Sequence, residues 1–531
     1  MLLVLLLAPL AVVAGVTLLM QVLGVVSWDA PAHLYKTTLV RNGGAMLWDN
    51  LWYGGAYQVV TYGFVFYWLA KFVNYTVLVV VSAGALPVLF YLYMRRVYAV
   101  SSYLPSLVLA GVLVIYLSNG QDPFLFALML TVGGMVLASY GQPLLATIPV
   151  VVAGFANPLA VMIGAIFLVA QYISEPDRRP VLARLALYLS PFAVARIVMG
   201  IFFWEPSTYY YRPIEIVIYV LFGVVGACAA RVSADPRRRG KEILFLTFAA
   251  VAVLAWVVPA NPVGGNFGRF FFVFGAPLLL TIRFTALRRF IVVPLVAGIA
   301  FGQLFVPAAH YVRVVEQPSA RAQFFAPALA FAATHYDPNY RFHVVALNTH
   351  WEAYYFSIHD FPITRGWYRQ ADALHNELLN RQDFSEQEYV TWLRDMAVRY
   401  VFLPHAPLDF SGARETQILT TSAEFHVVFT SPQWTVFELA SPAPMIQPLR
   451  RAGEASMLSV GHESVSLDVT QSGGYLIKVS YSPFWRITDG AGTIAKGRDD
   501  FLVLHAAASG YYSLRIEVTP LSLWREFESA F

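Results

Sequence analysis

The feature that most restricts this chain is a succession of apolar runs filling residues 1 to 307. About 20 apolar residues let a helix cross the hydrocarbon of a bilayer. There the backbone must satisfy its own N–H and C=O groups, which a helix does. The runs predict about eleven spans, near residues 2–26, 76–94, 104–118, 123–140, 143–156, 158–174, 181–203, 214–232, 242–259, 269–284 and 290–307, with Asn157 and Pro158 breaking one long stretch in two. Of all residues, 58% are hydrophobic and 13% charged, against roughly 25% charged in an ordinary soluble domain. So few charges cannot cover a water-soluble surface, and a multi-pass protein of the plasma membrane is expected. Residues 1–26 lack a basic start, and their run exceeds the roughly 7–15 residues of a secretory core, so they read as a retained first span.

Basic residues orient the spans. Arg95 and Arg96, Arg178 and Arg179, the run Arg237 to Lys241, and Arg288 and Arg289 all fall on the cytoplasmic side if the N-terminus is inside. The net charge of +4 comes mostly from these arginines, so it reports topology, and no nucleic-acid partner is expected. The single cysteine, Cys228, excludes an internal disulfide and a multi-cysteine metal site. Outside lie residues 27–75, "SNGQDP" at 118–123, "WEPSTYYYRP" at 204–213, "NPVGGNFGR" at 261–269, and everything after Pro307. "YGFVFYWLAKFV", 62–73, is too short to span and is expected to lie along the interface or to re-enter.

Beyond residue 307 charges become frequent and long apolar runs stop. The expected fold class is therefore an α-helical polytopic membrane domain over 1–309, followed by an extracytoplasmic α/β domain over 310–447 and a β-sandwich-like domain over 448–531. In the α/β part, helical "ADALHNELLNR" alternates with short apolar strands, "RFHVVAL", "VRYVFLP", "FHVVFTS" and "WTVFELA". In the last part "SVSLDVTQSGGYLIKVSYS", "FLVLHAA" and "GYYSLRIEVTP" alternate with period two between glycine turns.

Chemistry-bearing residues concentrate in the outer segments. Asp29, His33 and Lys36 stand just past the first span, in "DAPAHLYKTTLVRNGG", which reads as a short helix stopped by Gly43 and Gly44. Asp29 has two readings, a helix N-cap worth about 1 kcal/mol and a carboxylate that abstracts a proton or binds metal. His33, four residues on, shares its helix face. In "LWDNLWYGGAYQVV", Asp49 sits among Trp52, Tyr53 and Tyr57, either a headgroup-level aromatic belt or a carbohydrate site of stacking rings and acceptors. Gln121, Asp122, Asn266 and Arg269 stand at the ends of later spans; Arg269 suits a phosphate at that depth or snorkels to the interface. In the outer domain, "IHDFPITRGWYRQADALH" gathers His359, Asp360, Arg365 and Trp367 in what reads as a loop before a helix; such loops are frequent contact sites, and folding contacts use the same groups equally well. No Gly-rich phosphate loop, G-x-S-x-G elbow or zinc spacing occurs.

"WDAPAHLYKTTLVRNGG", "LWDNLWYGGAYQVVTYGFVFYWLA", "SNGQDP" and "GGNFGRFF" together resemble the GT-C superfamily of polytopic glycosyltransferases. More narrowly, they resemble membrane proteins labelled 6-pyruvoyl-tetrahydropterin-synthase-related, a label that implies no pterin chemistry here. The resemblance covers about the first 310 residues, and "SYSPFWRITDG" is similar to the β-rich ends of related proteins. It implies transfer of a sugar from a polyprenyl phosphate to an envelope glycan, lipid or protein on the non-cytoplasmic face, with Asp29 as the acid just after the first span. The first outer loop carries no Asp-x-Asp or Glu-x-Asp pair, so a divalent metal (magnesium or manganese) stays open, with Asp29, His33 and Asp49 as candidate ligands. A flippase for lipid-linked sugars or a scaffold for envelope enzymes are the alternatives.

Overall fold

The structure, a computed structural model, describes residues 2–22, 27–43, 47–56, 58, 63–203, 211–258, 263–283, 297–299, 301–302, 305, 317–381, 383–449 and 453–530. It divides into two compact units, Met1–Ala30 with Thr61–Val315, and Pro31–Val60 with Glu316–Phe531. Residues 31–60, expected as an outer loop of the membrane domain, thus cluster with the C-terminal half of the chain.

The first unit is helical. In chain order the helices are α1 (Leu2–Val22), α2 (Ala30–Gly43), which runs on into the second unit, α3 (Phe64–Ala70), α4 (Tyr75–Tyr98), α5 (Leu104–Asn119), α6 (Asp122–Ser139), α7 (Pro143–Ala156), α8 (Pro158–Ser174), α9 (Arg179–Phe202), α10 (Pro213–Arg231), α11 (Arg238–Val257) and α12 (Gly268–Leu280). Among the described residues, α4, α6, α9 with its preceding turn, α10 and α11 are long and apolar enough to cross a bilayer, while α5, α7, α8 and Leu7–Val22 of α1 are apolar but shorter. The chain is a multi-pass membrane protein. The span expected at 290–307 falls almost wholly outside the described residues.

Local chemistry sets the helix ends. Proline stands in the first turn of α5, α6, α7, α8, α9 and α10, where its missing N–H costs nothing. Asn74 caps α4 by accepting from Thr76 N at 2.9 Å, and Asn157 caps α8 through Leu159 N at 3.1 Å. Helix α11 starts ahead of the apolar run at 242 because Lys241 is buried and neutralised, its ammonium bonded to Asp235 and, at 2.7 Å, to the Thr281 carbonyl.

Lipid tails are as apolar as phenylalanine, so helices in a membrane associate through close packing and polar ties. Phe248 of α11 stacks on Phe270 of α12 at 4.5 Å, and Phe167 of α8 meets Phe274 at 5.4 Å. At one end of the bundle Arg237 pairs with Glu175 at 3.3 Å and Arg283 donates to Ser101 at 3.1 Å. This end gathers the basic runs. The opposite end holds the tips joining α5 to α6 and opening α12.

The second unit contains α2, an α/β layer and two β-sheets. Strands β1 (Arg341–Val344), β2 (Val398–Pro404), β3 (Phe425–Thr430) and β4 (Trp434–Leu439) form one sheet in the order β1-β2-β4-β3, with β1 parallel to β2 and the rest antiparallel. All four expected strands are present. Helix Glu386–Asp395, opened by a Ser385–Glu388 capping box, lays Tyr389, Val390 and Leu393 on Val401 and Phe437 of this sheet.

The remaining strands are β5 (Ile446–Pro448), β6 (Ala455–Val460), β7 (Ser464–Val469), β8 (Gly473–Ser480), β9 (Trp485–Asp489), β10 (Gly492–Lys496), β11 (Phe501–Ala506) and β12 (Gly510–Ile516). They form two antiparallel sheets, β10-β11-β8-β5 and β6-β7-β12-β9. Val465, Leu467 and Val469 of β7 are buried while the residues between them are not, the period-two signature of a sheet covered on one face. Fully buried Arg341 ties β1 to β8, donating to the Lys478 carbonyl and to Met396 O.

Candidate active site

In the first unit, Asp29 stands where the chain leaves α1 and enters α2. Trp28 N and Asp29 N donate to the carbonyls of Ser118 and Asn119 at 3.3 and 3.2 Å, which pins this segment to the last turn of α5. Gly120 follows with φ +75°, a left-handed conformation that ends α5. A Cβ at Gly120 would come within 2.6 Å of Ser27 Oγ and 3.1 Å of Asp29 Cβ. The "SNGQDP" loop therefore needs its glycine twice, once for the turn and once for the approach of Asp29.

Asp122 opens α6 two residues later. It is buried, and one carboxylate oxygen accepts from Tyr75 OH at 2.5 Å. Its other oxygen, also buried, has no hydrogen-bond partner among the described residues, and neither has Gln121 Oε1 beside it. Arg269, in the first turn of α12, lies with its guanidinium 5.0 Å over the Phe124 ring of α6 and makes no salt bridge among the described residues. Asn266 sits in the turn before it.

Charge converges here on a partly buried carboxyl. Burial pushes Asp29 up from 3.8 to about 8; the Arg269 charge works against this and the Asp122 charge adds to it. Although Asp29 immediately precedes α2, its carboxylate accepts no hydrogen bond among the described residues, so it is not spent as a cap. The arrangement offers a basic carboxylate, a second acid and a cation on three different elements at one end of the bundle.

The other expected site residues lie in the second unit, and several are engaged in the fold. Lys36 is buried with its ammonium 4.9 Å from the centre of the Tyr368 ring, and His33 is buried in the same helix. Asp49 is fully buried; its oxygens accept from Tyr35 OH at 2.9 Å, Leu51 N at 3.1 Å and His462 Nδ1 at 3.0 Å. Trp52 stacks on Tyr35 at 4.5 Å and donates to Ala353 O and Ser357 Oγ. Tyr53 OH donates to Tyr368 O at 3.0 Å. Tyr57 lies outside the described residues.

Arg365 is buried and bidentate to Asp372, at 3.0 and 2.5 Å, with Ser411 Oγ at 2.9 Å and Glu415 and Asp409 nearby. Burial opposes the Glu415 charge, but His343, Arg365 and Tyr389 outweigh it and hold this carboxyl below the usual range. Trp367 is half-buried beside His350, and His359 and Asp360 are exposed. Sequence reasoning missed Tyr75, the donor to Asp122, and His462, the partner of Asp49. The glycine between Asn119 and Gln121 was the one local signal for the approach of Asp29.

No family model matches the chain, and no curated protein does. Its fold is similar to a solved structure titled as the arabinofuranosyltransferase AftD from Mycobacteria, with a TM-score of 0.49 and 14% identity over 84% of this chain and 41% of that one. The chain thus spans about two-fifths of the length of that protein.

Proposed function

We propose that the chain is an integral-membrane glycosyltransferase of GT-C type that uses a polyprenyl-phosphate sugar and acts on the extracytoplasmic face. The observation carrying this reading is Asp29 itself, a carboxyl raised to about 8 that accepts no hydrogen bond among the described residues, set beside Arg269 and Asp122. An acceptor hydroxyl bound there passes its proton to Asp29 as its oxygen attacks the anomeric carbon of the donor. The bond from that carbon to the phosphate oxygen breaks, and the leaving polyprenyl phosphate takes up negative charge opposite Arg269. A positioned base contributes about 10²–10⁴ in rate when its affinity for protons lies near the working pH, as here. The guanidinium stabilises charge that develops only as the bond breaks. The acceptor is an envelope glycan, lipid or protein.

Magnesium or manganese finds no ready seat. Among the described residues no three His, Cys, Asp or Glu side chains are grouped to hold an ion, and Asp29 with Asp122 makes only a pair. The test uses protein in nanodiscs, radiolabelled polyprenyl-phosphate sugars and crude envelope extract. Wild type should release sugar from the lipid and Asp29→Asn should not; equal lipid binding without release by either would favour a flippase or scaffold.

A further inference from the structure

A second cavity lies wholly within the second unit. It measures about 220 Å³ and is walled by Tyr35, Leu39 and Asn42 of α2, by Ile358 and Asp360, and by His462 from the turn between β6 and β7. Against a share of about 30 Å³ per liquid water molecule, and below the roughly 300–1,000 Å³ of sites for drug-sized ligands, this volume admits one small ring.

The polar groups are arranged around His462. Its Nδ1 is bound by fully buried Asp49 at 3.0 Å, which turns Nε2 toward Asp360 at 3.4 Å. Burial lowers the affinity of this imidazole for protons, but Asp49, Asp360 and Glu463 more than restore it, so a protonated donor persists to higher pH than in water. The Asp360 side chain is 80% exposed at the rim with φ +61°. Asn42 adds an amide, and Leu39 and Ile358 supply apolar wall.

We propose that this cavity binds one neutral sugar residue of the acceptor glycan through two neighbouring hydroxyls, one donating to Asp360 and the next accepting from His462. The carboxylates of Asp49, Asp360 and Glu463 outnumber the one imidazolium, and this net negative charge repels phosphorylated and uronic sugars. The apolar wall suits the C–H face of a ring. The word acceptor rests on the transferase reading, whereas the binding itself does not.

The test is saturation-transfer NMR on the full chain in nanodiscs, with methyl glycosides of neutral pentoses and hexoses, and a methyl glucuronide as the charged control. At least one neutral glycoside should bind with a Kd on the order of 1–10 mM, and Asp360→Ala should weaken it roughly tenfold or more. Asp360 is exposed, so this variant folds; Asn42→Ala is the second, milder variant. Binding should also weaken as pH rises and His462 loses its proton. No neutral glycoside bound at about 50 mM, equal binding by Asp360→Ala, or preference for the glucuronide overturns the proposal. Transfer with an unchanged acceptor KM in Asp360→Ala would remove this subsite and leave the transferase, while binding in a protein that transfers nothing would do the reverse.

Discussion

Replacing Asp122 by Asn should move the pH profile of transfer to lower pH. Asp29 must be ionised to take a proton, so kcat/KM should rise with pH and level off above about 8, where burial has set its midpoint. At pH 7 only about one molecule in ten then carries the base. At an effective dielectric of about 20, unit charges interact by about 2 kcal/mol at a separation on the order of 8 Å. Since 1.36 kcal/mol moves a midpoint by one pH unit, removing a charge worth that much at Asp122 should lower it by about 1.5. Asn retains an oxygen for Tyr75 OH, so the local hydrogen bond survives. Arg269→Gln removes an opposing charge and should shift the midpoint the other way. The assay is initial-rate transfer in nanodiscs from pH 5.5 to 9.5, reading midpoint rather than plateau. A midpoint that stays put in both variants, or a flat profile, would refute Asp29 as the base.

Three further outcomes follow from the same geometry. Burial favours the protonated Asp29, so the folded state loses stability as pH rises from about 4 to about 8; Asp29→Asn should therefore melt higher than wild type at pH 9, with the gap closing toward pH 4 in differential scanning fluorimetry. Gly120→Ala would force a left-handed alanine, at about 1–2 kcal/mol, and push a methyl to 3.1 Å from Asp29 Cβ; kcat should fall about tenfold or more while far-UV circular dichroism stays unchanged, and full activity would sink the positioning argument. Arg365→Met should leave buried Asp372 without its guanidinium partner and strip one charge from Glu415 and Asp409, costing about 3–5 kcal/mol; pulse proteolysis in urea should show it, and wild-type resistance would count against a structural role.

Where information was local, the sequence could be read. Apolar runs marked the helices, and alternation such as Val465, Leu467 and Val469 marked the strands, because burial of one face writes its period into consecutive residues. Asp29 was legible too, since a carboxylate at the end of a span is conspicuous. Its company was not: Asp122 and Arg269 stand in separate loops, and no spacing announces that α6 and α12 bring them to one end. In "IHDFPITRGWYRQ" the sequence left binding and folding contacts equally open; Arg365 makes folding contacts, neutralising a buried acidic cluster, while His359 and Asp360 are exposed. Asp49 and His462 are separated by 413 residues, and such pairs leave no periodic trace.

That separation also bears on how the chain is made. The segment Pro31–Val60 leaves the ribosome well before the rest of its unit, which begins at Glu316. At about 5–20 residues per second, roughly 20–80 s pass between synthesis of Asp49 and arrival of His462. For that interval Asp49, Tyr35 and Trp52 have none of their late-made partners, while the helices between them are inserted one after another. Biogenesis must therefore shelter an aromatic, acid-bearing strip until His462 and its neighbours have been made. A ribosome that stalls before residue 462 would release a helical bundle with this strip uncovered, a ready handle for quality control.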